Sequence, residues 1–420
     1  MNDLRYIALQ IFTQTLVEQQ LINLPNNLNE KDLGFIRMLL YTALRHLPYI
    51  QKIIQKKLTR NMRIRPAAKY ALILGTTELV YMSSPDYAVI NSYVSLVKKI
   101  SNRFTAGFVN AVLRKINLSK TTILTEDSGE FFSVDFRSLL LKHYPAKTVS
   151  AIEQACLSEP LLDITVNDKN SAICPLGQIL PLGTLRLNSK GKISNLPDYQ
   201  SGNWWVQDFS SSLAVKMLNN IHGKTALDLC AAPGGKTAQL ISAGAQVTAV
   251  DISAYRLQTL QQNLQRLHLS PQNIICADAL DYLATTSQKF DIVLLDAPCS
   301  ATGTVRRHPE IAHFKTAEDV SRQSNLQRQL LEASLPKVAD QGYLLYCTCS
   351  LCPEEGELQI NDFISRHPDK IELVNLSNRL PEELKIISDS QGFIRVLPHL
   401  MKNYGYADGF FIALLKINIA

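Results

Sequence analysis

From about Trp204 onward, apolar runs of strand length alternate with amphipathic runs of helix length, and that alternation leaves few folds open. Strands are expected near Thr225–Leu229, Gln246–Asp251, Ile274–Asp278, Asp291–Ala297 and Tyr343–Cys349. Helices fit between them at Thr237–Ser242, Ala254–Leu267, Ala279–Thr285 and Asp319–Lys337. Strands joined through helices run parallel, so a doubly wound parallel α/β sheet is predicted. A late apolar run, Gly409–Lys416, should add an edge or antiparallel strand.

In an open parallel sheet, ligands bind outside the carboxyl ends of the strands. The residues suited to chemistry fall there. Leu227-Asp-Leu-Cys-Ala-Ala-Pro-Gly-Gly-Lys236 ends its strand in a glycine loop that leads into a helix. Its Gly/Lys/Thr spacing fits neither the dinucleotide fingerprint nor the phosphate-binding P-loop. Gly234 and Gly235 would still permit a tight turn and close backbone approach to a ligand. Asp251 ends the second strand about 20 residues past the loop, the place for a carboxylate that binds ribose hydroxyls. Asp278 ends the third and could reach an adenine edge. Taken singly, each acid also reads as a helix N-cap, Asp251 above all.

Two thiols complete the set. Asp296-Ala-Pro-Cys299 and Thr348-Cys349-Ser350 each close an apolar strand about fifty residues apart. Two thiols at two strand ends could face one substrate, which suggests nucleophilic cysteine chemistry beside a bound cofactor. Cys156, Cys174, Cys230 and Cys276 read as small apolar residues in or near the core. Cys347 shares a strand face with Cys349 if the strand is regular. Cys347, Cys349 and Cys352 form C-x-C-x-x-C, but a structural zinc site needs four ligands in paired spacing and no second pair is evident, so no metal is expected.

The first 118 or so residues read as all helix, with apolar positions three and four apart through Leu4–Leu21, Phe35–Leu47, Ile50–Leu58, Ala67–Met82, Ala88–Ile100 and Ala106–Ile116. Ser119–Ser133 has linker composition. Helices around Phe136–His143 and Lys147–Ser158 follow, then short strands. Three domains are expected: 1–135, 136–200 and 201–420. Residues 1–120 hold 17 Lys and Arg against 6 Asp and Glu, while the other 300 hold 26 against 31. Lys52, Lys56, Lys57, Arg60, Arg63, Arg65 and Lys69 lie in one stretch without an acid. A solvated helix face would explain such a run, but a surplus belonging to a whole domain favours a polyanionic partner. No apolar stretch is long enough to span a membrane, the N-terminus reads as a first helix rather than a signal peptide, and the free cysteines suit a reducing compartment, the cytoplasm.

Ala-Ala-Pro-Gly-Gly-Lys-Thr from Ala231, Asp-Ala-Pro-Cys-Ser from Asp296, and Thr-Cys-Ser before Pro353-Glu354-Glu355 resemble the signature set of S-adenosylmethionine-dependent RNA cytosine-C5 methyltransferases. Val206-Gln207-Asp208, Arg306-Arg307-His308-Pro309-Glu310 and Ala407-Asp408-Gly409-Phe410-Phe411 extend the likeness. Asp32 to Phe35, Leu44-Arg45, Leu74-Gly75 and Phe108 to Arg114 resemble a NusB-like RNA-binding domain. The combination is similar to the Sun/Fmu group of bacterial small-subunit ribosomal RNA methyltransferases over nearly the whole chain. One departure is Thr165-Val166-Asn167, where members of the group often have Arg-Val-Asn.

The resemblance implies an all-α NusB-like domain, a small mixed α/β region, and a Rossmann-like methyltransferase sheet. It implies S-adenosylmethionine held by Cys230, Ala231, Ala232, Pro233, Gly234, Gly235, Lys236, Asp251, Asp278 and Asp296. It implies 16S ribosomal RNA as partner and a monomeric enzyme. Cys349 would attack the base, Cys299 would assist release of the product, Asp296 would hold the base edge, and Lys236 would lie beside that carboxylate. The same chemistry on tRNA, or a non-catalytic RNA-binding factor, are the alternatives. A DNA amino-methyltransferase is disfavoured, because Asp-Ala-Pro-Cys stands where Asn/Asp-Pro-Pro-aromatic would be expected.

Overall fold

The computed structural model describes residues 3–25, 27–58, 64–127, 129–167, 172–188 and 192–419. The chain forms two compact units, one of residues 1–158 with 305–315, the other of residues 159–304 with 316–420. The division falls at 158 rather than at 135 and 200.

The first unit is helical. Its helices are α1 (Leu4–Glu18), α2 (Glu30–Arg45), α3 (Leu47–Lys57), α4 (Pro66–Tyr81), α5 (Asp86–Ile100), α6 (Arg103–Asn117), α7 (Lys120–Glu126), α8 (Val134–Leu141) and α9 (Ala146–Leu157). Side chains of Asp3, Asn29 and Asn102 cap α1, α2 and α6, each accepting an otherwise orphaned backbone N–H. Prolines occupy the first turns of α3 and α4, where no N–H is needed. α4 is buried continuously from Ala71 to Val80 and forms the unit's axis. At Gly75 a Cβ would lie 3.1 Å from Leu113 of α6 and 3.2 Å from Tyr93 of α5, so glycine sets how closely these helices approach. The expected linker Ser119–Ser133 instead contains α7, anchored by buried Ile123. Its polar composition conceals three buried apolar side chains, Ile123, Phe131 and Phe132.

Residues 305–315 belong to this helical unit although they follow the Cys299 loop in the chain. Arg45 Nη2 donates to the Arg306 carbonyl at 2.9 Å, and Ile22 N donates to Glu310 Oε1 at 3.0 Å. His313 Nε2 faces the Leu44 carbonyl at 2.7 Å and must therefore carry the hydrogen. Within the basic run, Lys52 is paired with Glu130 and Lys57 donates to Ser119 Oγ at 2.7 Å. Arg60 and Arg63 lie outside the described residues.

The second unit holds two sheets. Strands β1 (Leu162–Val166), β2 (Gly177–Ile179), β3 (Thr184–Leu187) and β4 (Trp204–Val206) form an antiparallel sheet in the order β2-β3-β1-β4. In β1, Thr165 Oγ1 donates to Gln207 Oε1 at 2.6 Å, joining a buried amide network at the position where the resemblance would have placed arginine.

The larger sheet contains β5 (Thr225–Leu229), β6 (Gln246–Asp251), β7 (Asn273–Cys276), β8 (Phe290–Asp296), β9 (Val338–Thr348), β10 (Ile371–Leu373), β11 (Ile394–Val396) and β12 (Phe410–Ile417). Its order is β10-β12-β9-β8-β5-β6-β7, with β11 also paired to β12. β7, β6, β5, β8 and β9 are mutually parallel, as the alternation predicts. β12 is antiparallel to β9, as one expectation had it, but it lies inside the sheet between β9 and β10 rather than at an edge. That explains why all but one of its residues are buried.

Helices α10 (Phe209–Lys216), α11 (Gly235–Ser242), α12 (Ala254–Arg266), α13 (Ala279–Thr285), α14 (Ala317–Ser334) and α15 (Glu357–Arg366) complete this unit. Alternate strand residues serve two cores: Ile292, Leu294 and Leu345 pack toward α10, while Val293, Leu295 and Leu344 pack toward α14 and α15. A sheet buried on both faces needs the near-continuous apolar strands seen in the sequence. β7 is the edge strand, so Cys276, expected in or near the core, is exposed. No helix among the described residues is long and apolar enough to cross a membrane.

Candidate active site

Chain direction diverges at β5: the chain moves through β6 and β7 to one side, then through β8 and β9 to the other. This switch point is where an open α/β sheet leaves a crevice at its strand ends. The glycine loop leaves β5 there. Cys230 has φ 60° and Gly234 φ 101°, so the backbone turns twice through the left-handed region before α11 begins at Gly235. At Gly234 a Cβ would stand 2.9 Å from Leu260 Cγ, whereas at Gly235 the nearest atom would be 3.7 Å away. Burial pushes the Cys230 thiol up to about 12, so it stays protonated. Ala231 and Ala232 are buried and small.

Asp251 ties this loop to the end of β6. Its Oδ2 accepts from Ala232 N at 3.1 Å and its Oδ1 from Ser253 N at 2.9 Å, with Arg256 Nη1 3.6 Å from Oδ2. Arg256 also donates to the Ala232 carbonyl. Ser253, not Asp251, caps α12, so the N-cap reading of Asp251 is corrected. The capping acid is Asp278, whose Oδ1 accepts from Leu280 N at 2.8 Å and Asp281 N at 3.3 Å at the exposed head of α13.

Sequence reasoning passed over Asp228. It sits inside β5, fully buried, and accepts from Thr237 Oγ1 at 2.6 Å through Oδ2. Its Oδ1 is buried without a hydrogen-bond partner. Burial raises its pKa to about 7, and the carboxylates of Asp296 and Asp251 push the same way. The available signal was an acid between two leucines of a buried strand, which needs a reason to be there.

Lys236 stands in the first turn of α11. Its Nζ lies 2.8 Å from Asp296 Oδ2 and 2.9 Å from Ser211 Oγ, and 5.1 Å from the Phe410 ring centroid. Burial opposes its charge, but Asp296, together with the other acidic groups around it, Cys347 and Asp228, more than offsets burial and holds the ammonium protonated. Cys347 Sγ approaches the other oxygen, Asp296 Oδ1, at 3.4 Å, and burial pushes that thiol well above its ordinary range. Cys347 is therefore a buried thiol donor to Asp296, not an exposed nucleophile.

The two candidate thiols meet. Cys299 Sγ and Cys349 Sγ are 3.4 Å apart and both partly accessible. Contact with Cys349 and then burial raise the Cys299 pKa, so Cys299 stays a thiol. Among the described residues no group of three or more His, Cys, Asp or Glu is placed to hold a metal.

Asp228, Asp251, Asp278 and Asp296 thus lie in or just beyond four neighbouring strands, β5, β6, β7 and β8. S-adenosylmethionine carries a sulfonium and an ammonium group, and such a carboxylate array suits it electrostatically. The orphaned oxygen of Asp228 and the small buried alanines of the loop fit an organic cation with a hydrogen-bonding head.

Residues 215–416 match the family described as 16S rRNA methyltransferase RsmB/F, and residues 2–118 match the NusB family. A curated relative from Yersinia pestis bv. Antiqua (strain Angola), named ribosomal RNA small subunit methyltransferase B, is 31% identical over 391 residues, covering 87% of this chain and 91% of the relative. A relative of the same name from Yersinia pseudotuberculosis is 32% identical over 394 residues, with the same coverage. Among solved structures, one titled as PH0851 covers 98% of both chains with a TM-score of 0.75 at 20% identity, which speaks for the fold. A methyltransferase homolog protein from Pyrococcus horikoshii covers 69% of this chain and 100% of its own, with a TM-score of 0.53 and 25% identity. With a glycine loop, an acid series and paired thiols at the ends of its strands, the chain belongs to the RsmB/F family of S-adenosylmethionine-dependent methyltransferases, with a NusB-family domain at its N-terminus.

Proposed function

We propose that this enzyme methylates C5 of a cytosine in 16S ribosomal RNA through a covalent adduct between Cys349 and C6 of the base. The observation that carries the reading is the pair of thiols 3.4 Å apart beside the Lys236–Asp296 ion pair. C5 of cytosine is a poor nucleophile. Addition of a thiolate at C6 makes C5 enamine-like and reactive, and C5–H must afterwards be lost to expel the enzyme. S-adenosylmethionine, when bound by the Cys230–Lys236 loop with Asp251 and Asp278, supplies the methyl group.

In this scheme Cys349 forms the bond to C6. Asp296 accepts from the base edge, with Lys236 fixing the carboxylate's position and charge. In the elimination that frees Cys349, the C5 proton is lost to water, and Cys299, held as a thiol, donates its proton to the departing Cys349 sulfur and is reprotonated from solvent. The name shared by the curated relatives supports ribosomal RNA over tRNA, and the cationic surplus of residues 1–120 supports a polyanionic partner. A base stacked in a helix cannot present C6 to a thiol, so the target cytosine must lie in a loop or be flipped out.

Cys349→Ser should abolish methyl transfer and leave cofactor affinity unchanged, because an alcohol is a far weaker nucleophile at neutral pH. Cys299→Ser should accumulate a protein–RNA adduct on denaturing gels, and the adduct should vanish when Cys349 is also replaced. An adduct that persists in the double variant would remove Cys349 from its role.

A further inference from the structure

Each candidate thiol is followed by a serine, and both serines converge on one buried carboxylate. Glu355 is fully buried. Its Oε1 accepts from Ser300 N at 2.7 Å and from Gln327 Nε2 at 3.2 Å. Its Oε2 accepts from Ser300 Oγ and Ser350 Oγ, each at 2.5 Å. Gln327 Nε2 also donates to the Pro298 carbonyl at 2.8 Å, so the residues on both sides of Cys299 are tied to the same centre.

The backbone of Glu355 reaches the strand that delivers the second thiol. Its carbonyl accepts from Tyr346 Oη at 3.0 Å and Thr348 Oγ1 at 3.1 Å, one residue before Cys349. Arg395 closes the other side, donating to the Ser350 carbonyl and to Glu357 at 2.8 Å.

A buried carboxylate is costly unless its oxygens are filled. Here four donors from three segments fill them, and two of those segments carry the thiols. An amide in its place would turn its NH2 group either against the Ser300 N–H and the Gln327 amide or against two serine hydroxyls that must then turn to accept, and an alanine would leave all four donors unmet. Glu355 touches neither thiol. We propose that Glu355 is a positioning residue that locks the Cys299 and Cys349 loops in register, fixing the distance between the two sulfurs. The proposal rests on the thiol roles given above for its meaning in catalysis, but its geometric content stands apart from them.

The test uses Glu355→Gln in the full-length enzyme, with two readouts. The first is closure of a Cys299–Cys349 disulfide by diamide, which takes up the two electrons and two protons that the thiols release. Peptide mapping identifies the bond formed. The second is single-turnover methyl transfer alongside the KM for RNA and the affinity for S-adenosylmethionine. The variant should close the disulfide at least about 10-fold more slowly and transfer methyl groups up to about 100-fold more slowly, the scale of an ångström-sized misplacement. KM and cofactor affinity should stay within about two-fold of wild type, a split that general unfolding would not give.

An unchanged rate of disulfide closure would overturn the proposal whatever the activity. If instead the wild type itself transferred no methyl group to RNA, the functional reading would fail while the closure assay still decided the role of Glu355. Should Glu355→Gln not fold, the double variant Ser300→Ala, Ser350→Ala removes the two hydroxyl links to Oε2, one from each thiol loop. The same slowing is then expected, and its absence would overturn the proposal.

Discussion

Gly234 and Gly235 are adjacent in sequence, yet the structure predicts opposite outcomes for replacing them by alanine. Gly234 holds φ 101°, well outside the ranges that side chains accept, and a Cβ there would stand 2.9 Å from Leu260 Cγ. Leu260 is fully buried within a core that also contains Ala231 and Ala232. The backbone penalty for an L residue in the left-handed region is about 1–2 kcal/mol, and overpacking a core adds about 1–3 kcal/mol. Gly234→Ala should therefore lose about 2–5 kcal/mol. Gly235 has ordinary helical backbone and space, its nearest neighbour being Gln207 at 3.7 Å. Alanine there should be neutral or stabilise by about 0.4–1 kcal/mol through the unfolded chain. Both tryptophans, Trp204 and Trp205, lie in the second unit, so fluorescence during urea titration reports on that unit alone. Gly234→Ala should shift the midpoint down by about 1 M, taking a slope near the upper end of the range for small proteins. A shift below about 0.2 M would refute the strain argument. Calorimetry with S-adenosylmethionine then separates the roles: normal affinity in Gly235→Ala would mean that close backbone approach at that residue is not required.

His313 is buried with its Nε2 hydrogen on the Leu44 carbonyl, and burial lowers its pKa to about 4 from an ordinary 6.5. The unfolded chain then binds more protons between those values, so the helical unit should lose stability as pH falls from about 6.5 toward 4, by at most about 3 kcal/mol. His313→Gln should flatten that part of the pH profile in thermal melts, and an unaltered profile would exclude His313 as its source. Replacing Lys56, Lys57, Arg60 and Arg63 with Gln should reduce the salt slope of RNA binding by about 3, given about 0.7–0.9 for each phosphate no longer neutralised. Identical slopes in wild type and variant would make this run a solvated face, with Lys57 serving Ser119 and RNA bound elsewhere.

The parts of this molecule that were legible in its sequence are those decided by local pattern. β5 and β6 carry the bounds expected of them, and α13 does too, because periodicity and flanking turns suffice to place a strand or helix. The strand-end positions of Cys299 and Cys349 followed from the same pattern, since a parallel sheet brings successive carboxyl ends to one edge. What stayed hidden depends on partners distant in the chain. Asp228 looks like a flaw in an apolar strand until Thr237 and the neighbouring strand ends are in place around it. Asp251 and Asp278 are equivalent as strand-end acids, yet one closes the glycine loop and the other caps a helix, and only the positions of Ala232 and Leu280 separate them. Arg306 to Glu310 stand out only as part of the family likeness, and nothing local shows that Arg45 and Ile22 make that segment part of the helical unit. Glu355 is the sharpest case. Beside Glu354 it looks like one of two surface acids, and nothing local reveals that it faces inward. Its four donors come from residues 300, 327 and 350, so its meaning arises only once the sheet has brought the two thiol loops together. A clamp of that kind is invisible to any reading confined to spacing, because the spacing that matters lies across strands and not along the chain.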